Sequence, residues 1–230
     1  MKYVTLAIGV GLLVASPALG LTYLGTPTTV LKTGEWAVGA SYADGRQDVE
    51  LEGSIDLEHV KEKSTLGHVA VGLADERMEL FGLFGAFDLE RDKVESNGRF
   101  LVGFGTRITM YEGGDLDWGA VGQFTWFTSE DTMFVDGVAT DVELNVFDIQ
   151  VGLGPCWRPG PFILYGGPMI QWITGDVDTD AFGDFDVKAE SSFGGYIGGG
   201  VELAKHLSVT GEVQGTPDAS AWAVSVQWRF

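Results

Sequence analysis

The stretch that decides the fold is Trp222-Ala-Val-Ser-Val-Gln-Trp-Arg-Phe230, whose side chains alternate in character without interruption. Its large apolar members share one parity, and they are Trp222, Val224, Val226, Trp228 and Phe230. Successive side chains of a β-strand point to opposite faces, so one face of this strand is wholly apolar. Termini tend to fray into water, which makes an apolar final strand unusual in a soluble protein. The pattern predicts a strand with lipid outside and a polar lumen behind it.

The first twenty residues have the organisation of a secretory signal peptide. Lys2 supplies the positive charge, residues 3–15 form an apolar segment, and residues 16–20 supply small side chains for cleavage. The apolar segment is shorter than the about 20 residues that a spanning helix requires. We therefore predict secretion with cleavage after Gly20, or after Ala18 as the second choice, and one domain over residues 21–230.

The rest of the chain divides into alternating segments and two kinds of connection. Ten strands are predicted, at residues 35–44, 65–74, 77–88, 99–110, 117–128, 140–154, 162–174, 189–203, 207–215 and 220–230. Short connections alternate with long ones, which lie at roughly 45–64, 89–98, 129–139 and 175–188. Short turns on one side and longer loops on the other are typical of membrane barrels. We predict an all-β fold, a transmembrane antiparallel up-and-down β-barrel of about ten strands. Eight or twelve strands stay open, since residues 48–57 could form an extra hairpin.

The tryptophans agree with these strand ends. Four lie at the predicted periplasmic ends (Trp36, Trp118, Trp157, Trp228), and three lie at the outer ends (Trp126, Trp172, Trp222). Aromatic belts are expected at both boundaries of a membrane. Two strands resist the simple pattern. Residues 79–87 are apolar on both faces. The strand at 140–154 changes its apolar parity between Val146 and Phe147, which predicts a β-bulge.

The opposite parity carries polar side chains that a barrel would direct into its lumen. The candidates are Glu35, Glu79, Arg107, Gln123, Gln150, Gln171, Glu202, Glu212, Gln227 and Arg229. A ten-stranded barrel has a narrow lumen, and unpaired buried charge is costly. We expect these groups to pair and fill the interior. A small hydrophilic pore lined by Arg107 and Arg229 is the alternative.

Acidic residues dominate the predicted outer loops. The formal net charge of the chain is −19, and segments 45–64, 88–98, 129–141 and 175–190 hold twenty acidic and six basic residues. Such a surface repels nucleic acid and concentrates cations. We therefore predict no nucleic-acid partner.

One acidic loop has the spacing of a candidate metal site, formed by Asp176, Asp178, Asp180, Asp184 and Asp186. Carboxylates separated by single residues can surround Ca²⁺. The loop is similar to the start of an EF-hand, but Ala181 and Val187 replace the Gly and Glu which that motif requires. Ca²⁺ is the one ligand considered, and no cofactor is predicted. The single Cys156 excludes an internal disulfide and is interpreted as structural.

The histidines give little support for catalysis. His206 lies in a predicted short turn, His68 lies in a strand near the outer rim, and His59 lies beside Glu58 in an acidic loop. A lone His beside a Glu is more often a solvated pair than a catalytic dyad. The chain contains neither Gly-x-Ser-x-Gly nor His-Glu-x-x-His. We predict that it is not an enzyme, with a rim-sited enzyme as an alternative.

The signal-peptide pattern, the hairpin rhythm and the stretch Trp222–Phe230 resemble those of small bacterial outer-membrane barrels, such as the OmpA membrane domain, OmpX and OmpW. The resemblance implies that the terminal aromatic strand is an assembly signal, read by the barrel-assembly machinery. It also implies a monomer surrounded by outer-membrane lipid, and it supplies no site residues. The predicted function is an integral outer-membrane barrel with a structural, surface-interaction or minor transport role. A narrow channel and a secreted soluble β-sandwich are the alternatives.

Overall fold

The computed structural model describes residues 21–51, 55–73, 76–91, 94–95, 99–135, 138–179, 183–188 and 192–230. The strands are β1 (Trp36–Leu51), β2 (Ile55–Leu73), β3 (Met78–Arg91), β4 (Val94–Glu95), β5 (Arg99–Tyr111), β6 (Leu116–Val135), β7 (Val138–Trp157), β8 (Phe162–Thr179), β9 (Gly183–Lys188), β10 (Ser192–Ala204), β11 (Leu207–Gly215) and β12 (Ala219–Arg229). Among the residues described, no helix is long and apolar enough to cross a membrane. The predicted signal peptide, residues 1–20, lies outside the described residues.

The sheet closes on itself. Neighbouring strands pair antiparallel, and β12 pairs with β1. β3 pairs first with β4 and then with β5, and β8 pairs first with β9 and then with β10, so the wall has ten positions. Closure leaves no row of unpaired backbone groups facing lipid, where water could not satisfy them. The prediction of a ten-stranded, up-and-down antiparallel barrel is confirmed.

The two faces of the wall differ as the alternation requires. In β12, the side chains of Trp222, Val224, Val226 and Trp228 are 40–46% exposed on the outer face. Ala221, Ala223 and Ser225 are buried on the inner face. β10 repeats the arrangement, with Phe193 and Ile197 outside and Tyr196 inside. The outside of the barrel is therefore an apolar band suited to lipid.

Exposed tryptophans mark both edges of this band. At the short-turn end they are Trp36, Trp118, Trp157 and Trp228, and at the opposite end, called here the hairpin end, they are Trp126, Trp172 and Trp222. At the hairpin end the ring of Trp126 stacks on that of Phe147 at 6.4 Å, and Tyr42 contacts Trp222 at 5.6 Å between centroids. These exposed rings form the two belts that the sequence predicts.

The strands continue beyond the hairpin-end belt, so most of the predicted long loops are wrong as loops. β1 extends to Leu51 and β2 begins at Ile55, and residues 49–51 pair with residues 55–57 to lengthen this hairpin. β6 and β7 extend to Val135 and from Val138. At about 3.3 Å per residue and a tilt near 40°, the β6–β7 arms rise roughly 20 Å above Trp126. Above the membrane neither face needs to be apolar, so alternation no longer marks the strand.

The predicted bulge between Val146 and Phe147 is also wrong. The β6–β7 register runs from Leu116 opposite Trp157 to Val135 opposite Val138 without a shift. Val146 is fully buried on the inner face beside its cross-strand partner Phe127. The apparent change of parity is an apolar side chain that faces the lumen. Register shifts occur instead at Gln47/Val49 in β1, Thr109/Tyr111 in β5 and Glu202/Ala204 in β10.

Candidate functional site: the lumen and its N-terminal segment

Residues 21–35, called here the lumen segment, precede β1; residues 21–31 lie inside the barrel, and residues 32–34 are exposed at its short-turn end. Leu21, Thr22, Leu24 and Thr28 are each at most 2% exposed, although the segment has no regular secondary structure. The segment joins β1 at the short-turn end, where Gly34 N donates to Gly72 O and Gly72 N donates to Glu35 O. Sequence reasoning did not place this segment, because Thr, Pro and Gly give it no periodicity.

The lower part of the lumen segment is tied to the short-turn end of the wall. Thr29 Oγ1 donates to the carbonyl of Glu76 at 2.6 Å, and Thr29 N donates to Thr109 Oγ1 at 3.0 Å. Arg158 Nη2 donates to Thr28 Oγ1 at 2.7 Å, while its Nη1 pairs with Asp117 at 2.9 Å. The β2–β3 connection, the β7–β8 connection and strand β5 therefore fix the position at which the chain enters the lumen.

Half-way up the segment, charged wall residues hold the backbone. Glu212, 3% exposed, accepts hydrogen bonds from Leu24 N at 2.9 Å and from Gly25 N at 3.0 Å. Arg107 forms an ion pair with Glu79, and its guanidinium carbon lies 4.4 Å from the centroid of the Phe81 ring. Buried charges are tolerated when they are paired and hydrogen-bonded, and this arrangement meets that requirement.

The upper end of the described segment lies on amide side chains. Gln123 Nε2 donates to Thr22 Oγ1 at 2.6 Å, and Gln214 Nε2 donates to the Thr22 carbonyl at 2.7 Å. One residue further down, Tyr23 OH lies 2.6 Å from Thr210 Oγ1. Thr22 is therefore held from two sides of the barrel.

Glycines of the wall leave room for the lumen segment. A Cβ added at Gly152 would lie 2.7 Å from Leu24 Cδ2, and one at Gly119 would meet Pro27 O and lie 2.8 Å from Thr28 Cγ2. A Cβ at Gly72 would collide with the carbonyl of Lys32. These positions show why small residues are needed inside a barrel that holds a second layer of chain.

A second layer of side chains closes the lumen nearer the hairpin end. It consists of apolar residues from adjacent strands, each at most 2% exposed, and they are Leu66, Phe87, Leu101, Phe127 and Val146. Leu101 pairs with Phe127, and Phe127 pairs with Val146. The rings of Phe87 and Phe127 meet edge-to-face at 4.6 Å. This group is called here the apolar layer. The lumen therefore holds buried side chains at two heights, those around the lumen segment and those of the apolar layer.

The residues predicted to line the lumen fall into three groups. Glu79, Arg107, Gln123 and Glu212 contact the lumen segment, Gln150 and Gln171 lie above it, and Glu35, Glu202, Gln227 and Arg229 lie near the short-turn rim. Arg229 Nη2 pairs with Glu202 at 2.8 Å. Arg107 and Arg229, the residues named for the alternative pore, are each paired with a carboxylate, that of Glu79 and that of Glu202. Sequence reasoning did not single out Asp148 and Thr125, although they share the inward parity of Gln150 and Gln123.

The aspartates of the candidate Ca²⁺ site lie on a hairpin, so their assignment to a loop is wrong. In the β8–β9 ladder Asp176 is opposite Asp186, and Asp178 is opposite Asp184. The side chain of Asp176 is exposed, while Asp180 lies outside the described residues. Among the side chains that the structure describes, no group of three or more metal-ligating residues comes together. Ca²⁺ binding here stays a prediction.

The histidines do not cluster. His68 is 8% exposed and faces the lumen part-way along β2, so its predicted place near the outer rim is wrong. A Cβ added at Gly39, its cross-strand partner, would collide with the His68 ring. His206 lies in the β10–β11 turn, with its ring 6.1 Å from that of Trp228. The side chain of His59 lies outside the described set.

Comparisons with solved structures support the architecture. An outer membrane channel from Pseudomonas putida F1 aligns with a TM-score of 0.52 at 9% identity, covering 88% of this chain and 97% of that one. The translocator domain of the autotransporter NalP from Neisseria meningitidis aligns with a TM-score of 0.50 at 12% identity, covering 99% and 97%. The outer membrane protease OmpT from Escherichia coli gives 0.47 at 8% identity, covering 90% and 100%. At these identities the likeness shows the fold alone.

Sequence comparison supplies the family. The profile described as "Outer membrane protein beta-barrel domain" matches residues 60–230, while the search of curated proteins gives no match. The matched region holds nearly all of the closed wall, with its apolar outer face and two aromatic belts. This protein of the bacterial outer membrane therefore belongs to the outer membrane protein β-barrel domain family.

Proposed function

We propose that this protein is a surface-interaction barrel, closed to solutes by its own lumen segment and acting through its acidic outer hairpins. The observation that supports the proposal is that hydrogen bonds from the wall hold the lumen segment inside the barrel. Contacts to Glu79, Arg107, Gln123 and Glu212 hold the segment across the bore, and the apolar layer fills the bore again above it. A lumen that holds both the lumen segment and the apolar layer does not suit the diffusion of solutes.

The hairpins support the second half of the proposal. The β1–β2, β6–β7 and β8–β9 ladders continue beyond the hairpin-end belt, so they hold paired backbone outside the lipid. Most of the acidic excess of the chain lies on these arms and their connections. Dense negative charge attracts cations and steers positively charged partners to the surface. The proposed ligands are therefore cations and basic polypeptides.

The proposed protein is a non-catalytic monomer whose terminal strand contacts the barrel-assembly machinery. A monomer is supported by β12, which uses its backbone edges for β11 and β1 within one chain. Contact of the terminal strand with the assembly machinery is proposed on the resemblance of its sequence. A non-catalytic role is supported by the burial of His68 inside the wall, away from the solvent at the rim.

Planar-bilayer recording tests the closed lumen. Purified protein is expected to give no steady conductance, and steady, ion-selective openings would contradict the proposal. The matched control is a refolded chain that begins at residue 32 and carries Phe127→Ala, since it lacks most of the lumen segment and opens the apolar layer. Conductance of this control shows that the assay detects an open bore.

Binding of a polycation tests the acidic hairpins. Polylysine is expected to bind the detergent-solubilised barrel at low salt and to dissociate as the ionic strength rises, because exposed charges are screened beyond a Debye length of about 8 Å at 0.15 M salt. The matched control is a variant with Glu130, Asp131, Asp136 and Asp141 changed to the corresponding amides. Equal binding by both proteins would remove the β6–β7 hairpin from the proposed surface.

A gated passage is a second candidate function, and it is favoured by the polar side chains of the wall that contact the lumen segment. If the lumen segment withdrew, groups such as Arg107, Glu212 and Gln214 would line a hydrophilic path through the lower lumen. A chain that begins at residue 32, with Phe127 retained, isolates this possibility. Conductance from that chain would favour gating by the segment, and silence would favour permanent closure.

A further inference from the structure

Immediately above the lumen segment lies a buried cluster of polar side chains from β6, β7 and β8. Asp148 is 1% exposed and Thr125 and Gln150 are wholly buried. Gln123 pairs with Gln150 across the β6–β7 ladder, and Thr125 pairs with Asp148 one step further toward the hairpin end. The two pairs form adjacent rungs on the inner face of the wall, and this group is called here the Asp148 cluster.

The Asp148 cluster has more acceptors than its neighbours can satisfy. The carboxylate of Asp148 accepts from Gln150 Nε2 at 2.8 Å and from Gln171 Nε2 at 3.1 Å, and both donors are neutral. Gln123 Oε1 and Thr125 Oγ1 are buried without a hydrogen-bond partner. Among the described side chains, none forms an ion pair with Asp148. A buried carboxylate without a counter-charge is costly, and each unpaired polar atom adds to that cost.

The surroundings enclose the cluster from both ends of the barrel. The apolar layer lies on the next rung toward the hairpin end, where Phe127 pairs with Val146. Thr22 closes the other side, because its hydroxyl accepts from the same Gln123 Nε2 that donates to Gln150. The missing partner must therefore be small, positively charged and rich in hydrogen-bond donors. An ammonium group has these properties, with three donors and no acceptor.

We propose that the Asp148 cluster binds one ammonium group, and that its source is the α-amino group of Leu21 released by cleavage after Gly20. The lumen segment rises from the rim through Thr29, Leu24 and Thr22, so the next backbone nitrogen along this path belongs to Leu21. Leu21 is 2% exposed, so a charge on its nitrogen would be buried with the cluster. The proposal rests on the predicted cleavage site and not on the proposed function. A small amine from solution is the other source of the same chemistry.

The position of cleavage matters for this pairing. Cleavage after Gly20 leaves the charge at the residue that adjoins Thr22, whereas cleavage after Ala18 would add two residues to the segment. At about 3.3 Å per extended residue, those residues would carry the amine roughly 7 Å further along the lumen, past Asp148 and into the apolar layer. The inner wall therefore fits one N-terminus and not its neighbour.

Intact mass and amine labelling test the proposal on protein purified from membranes. The mass is expected to correspond to a chain that begins at Leu21, and a chain that begins at Leu19 would overturn the α-amino source. The folded protein is then acylated in detergent, unfolded and digested. The α-amino group is expected to react at least tenfold more slowly than in urea, while the exposed Lys32 amine reacts equally in both. Full reactivity in the folded state would overturn the α-amino source.

The variant Asp148→Asn tests the carboxylate itself. It should raise the acylation rate of the α-amino group toward the unfolded value, while Asp218→Asn, in an exposed turn, should leave it unchanged. A second arm adds methylammonium to protein whose α-amino group is acetylated before refolding. A rise in melting temperature that disappears in Asp148→Asn would assign the site to solution amines. If neither amine responds to the loss of Asp148, the ammonium site itself is wrong.

Discussion

The carboxylate of Glu212 is expected to hold the lumen segment in place, and Glu212→Gln is the perturbation that isolates its effect. In the native protein its two oxygens accept separately from Leu24 N and Gly25 N. The amide keeps one oxygen acceptor, but it presents an NH₂ group to the other backbone N–H. The change therefore removes one charged hydrogen bond, weakens the second and leaves a buried donor unpaired.

The size of the effect follows from those contacts. A hydrogen bond to a charged group contributes about 1.5–3 kcal/mol, and an orphaned buried donor costs a similar amount. Partial relaxation of the structure and the retained neutral hydrogen bond reduce the summed cost. We therefore expect the free energy that favours the segment bound in the lumen over the released segment to fall by about 3 kcal/mol. At 1.36 kcal/mol per tenfold change, that loss corresponds to an increase on the order of a hundredfold in the population of molecules whose segment is released from the lumen.

Hydrogen exchange with mass spectrometry measures this population. Peptides that cover residues 21–35 should exchange on the order of a hundredfold faster in Glu212→Gln, while peptides from β6 and β7 should keep their protection. Glu202→Gln is the matched control, because Glu202 pairs with Arg229 at the rim and makes no contact with the lumen segment in the described structure. Unchanged exchange of the segment in Glu212→Gln would refute the reasoning, as would equal acceleration of the wall.

Three further predictions concern the wall and its hairpins. Gly152→Ala should displace the lumen segment and expose it to proteolysis. Gly122→Ala should not, because its added Cβ has its nearest neighbour at 3.9 Å. Equal cleavage of the two variants would contradict the close contact between Gly152 and the segment. Val224→Arg, at the middle of the apolar face of β12, should lower the free energy of unfolding in lipid vesicles by about 2–4 kcal/mol, and an unchanged value would argue against lipid contact there. Isothermal titration should detect weak Ca²⁺ binding that Asp176→Asn with Asp178→Asn abolishes, and an absence of heat at millimolar Ca²⁺ would remove the metal site.

The lipid-facing wall could be predicted from sequence because lipid imposes a strict local rule. Each outward position must be apolar, so the parity of Trp222 and its companions in β12 determines their face without knowledge of any neighbour. The same rule fails above the membrane, where both faces of the β6–β7 hairpin meet water and the strands were interpreted as a loop. It also failed at Val146, whose apolar side chain faces the lumen against Phe127.

The contents of the lumen could not be predicted in this way. Residues 21–31 lie in the lumen, held by hydrogen bonds to residues that lie far away in sequence, such as Glu212 for Leu24 and Gln123 for Thr22. No periodic pattern marks such a segment, since its burial depends on the closed wall around it. The polar residues of the wall were recognisable as inward-facing, but their partners came from a segment without strand or helix character. Gly119, as a glycine within a strand, indicates that another part of the chain comes close to it, but it does not indicate which part.

A disulfide cross-link between the lumen segment and the wall tests the closed lumen most directly. The hydroxyl oxygens of Thr29 in the lumen segment and Thr109 on the inner face of β5 lie 2.9 Å apart, so two cysteine sulfurs at these positions would be within reach of each other. In a Cys156→Ala background, oxidation of Thr29→Cys with Thr109→Cys in native outer membranes should give nearly complete cross-linking. Thr29→Cys with Gly122→Cys should give none. If both thiols of the first pair stay separate and react freely with a maleimide, the segment does not lie in the lumen.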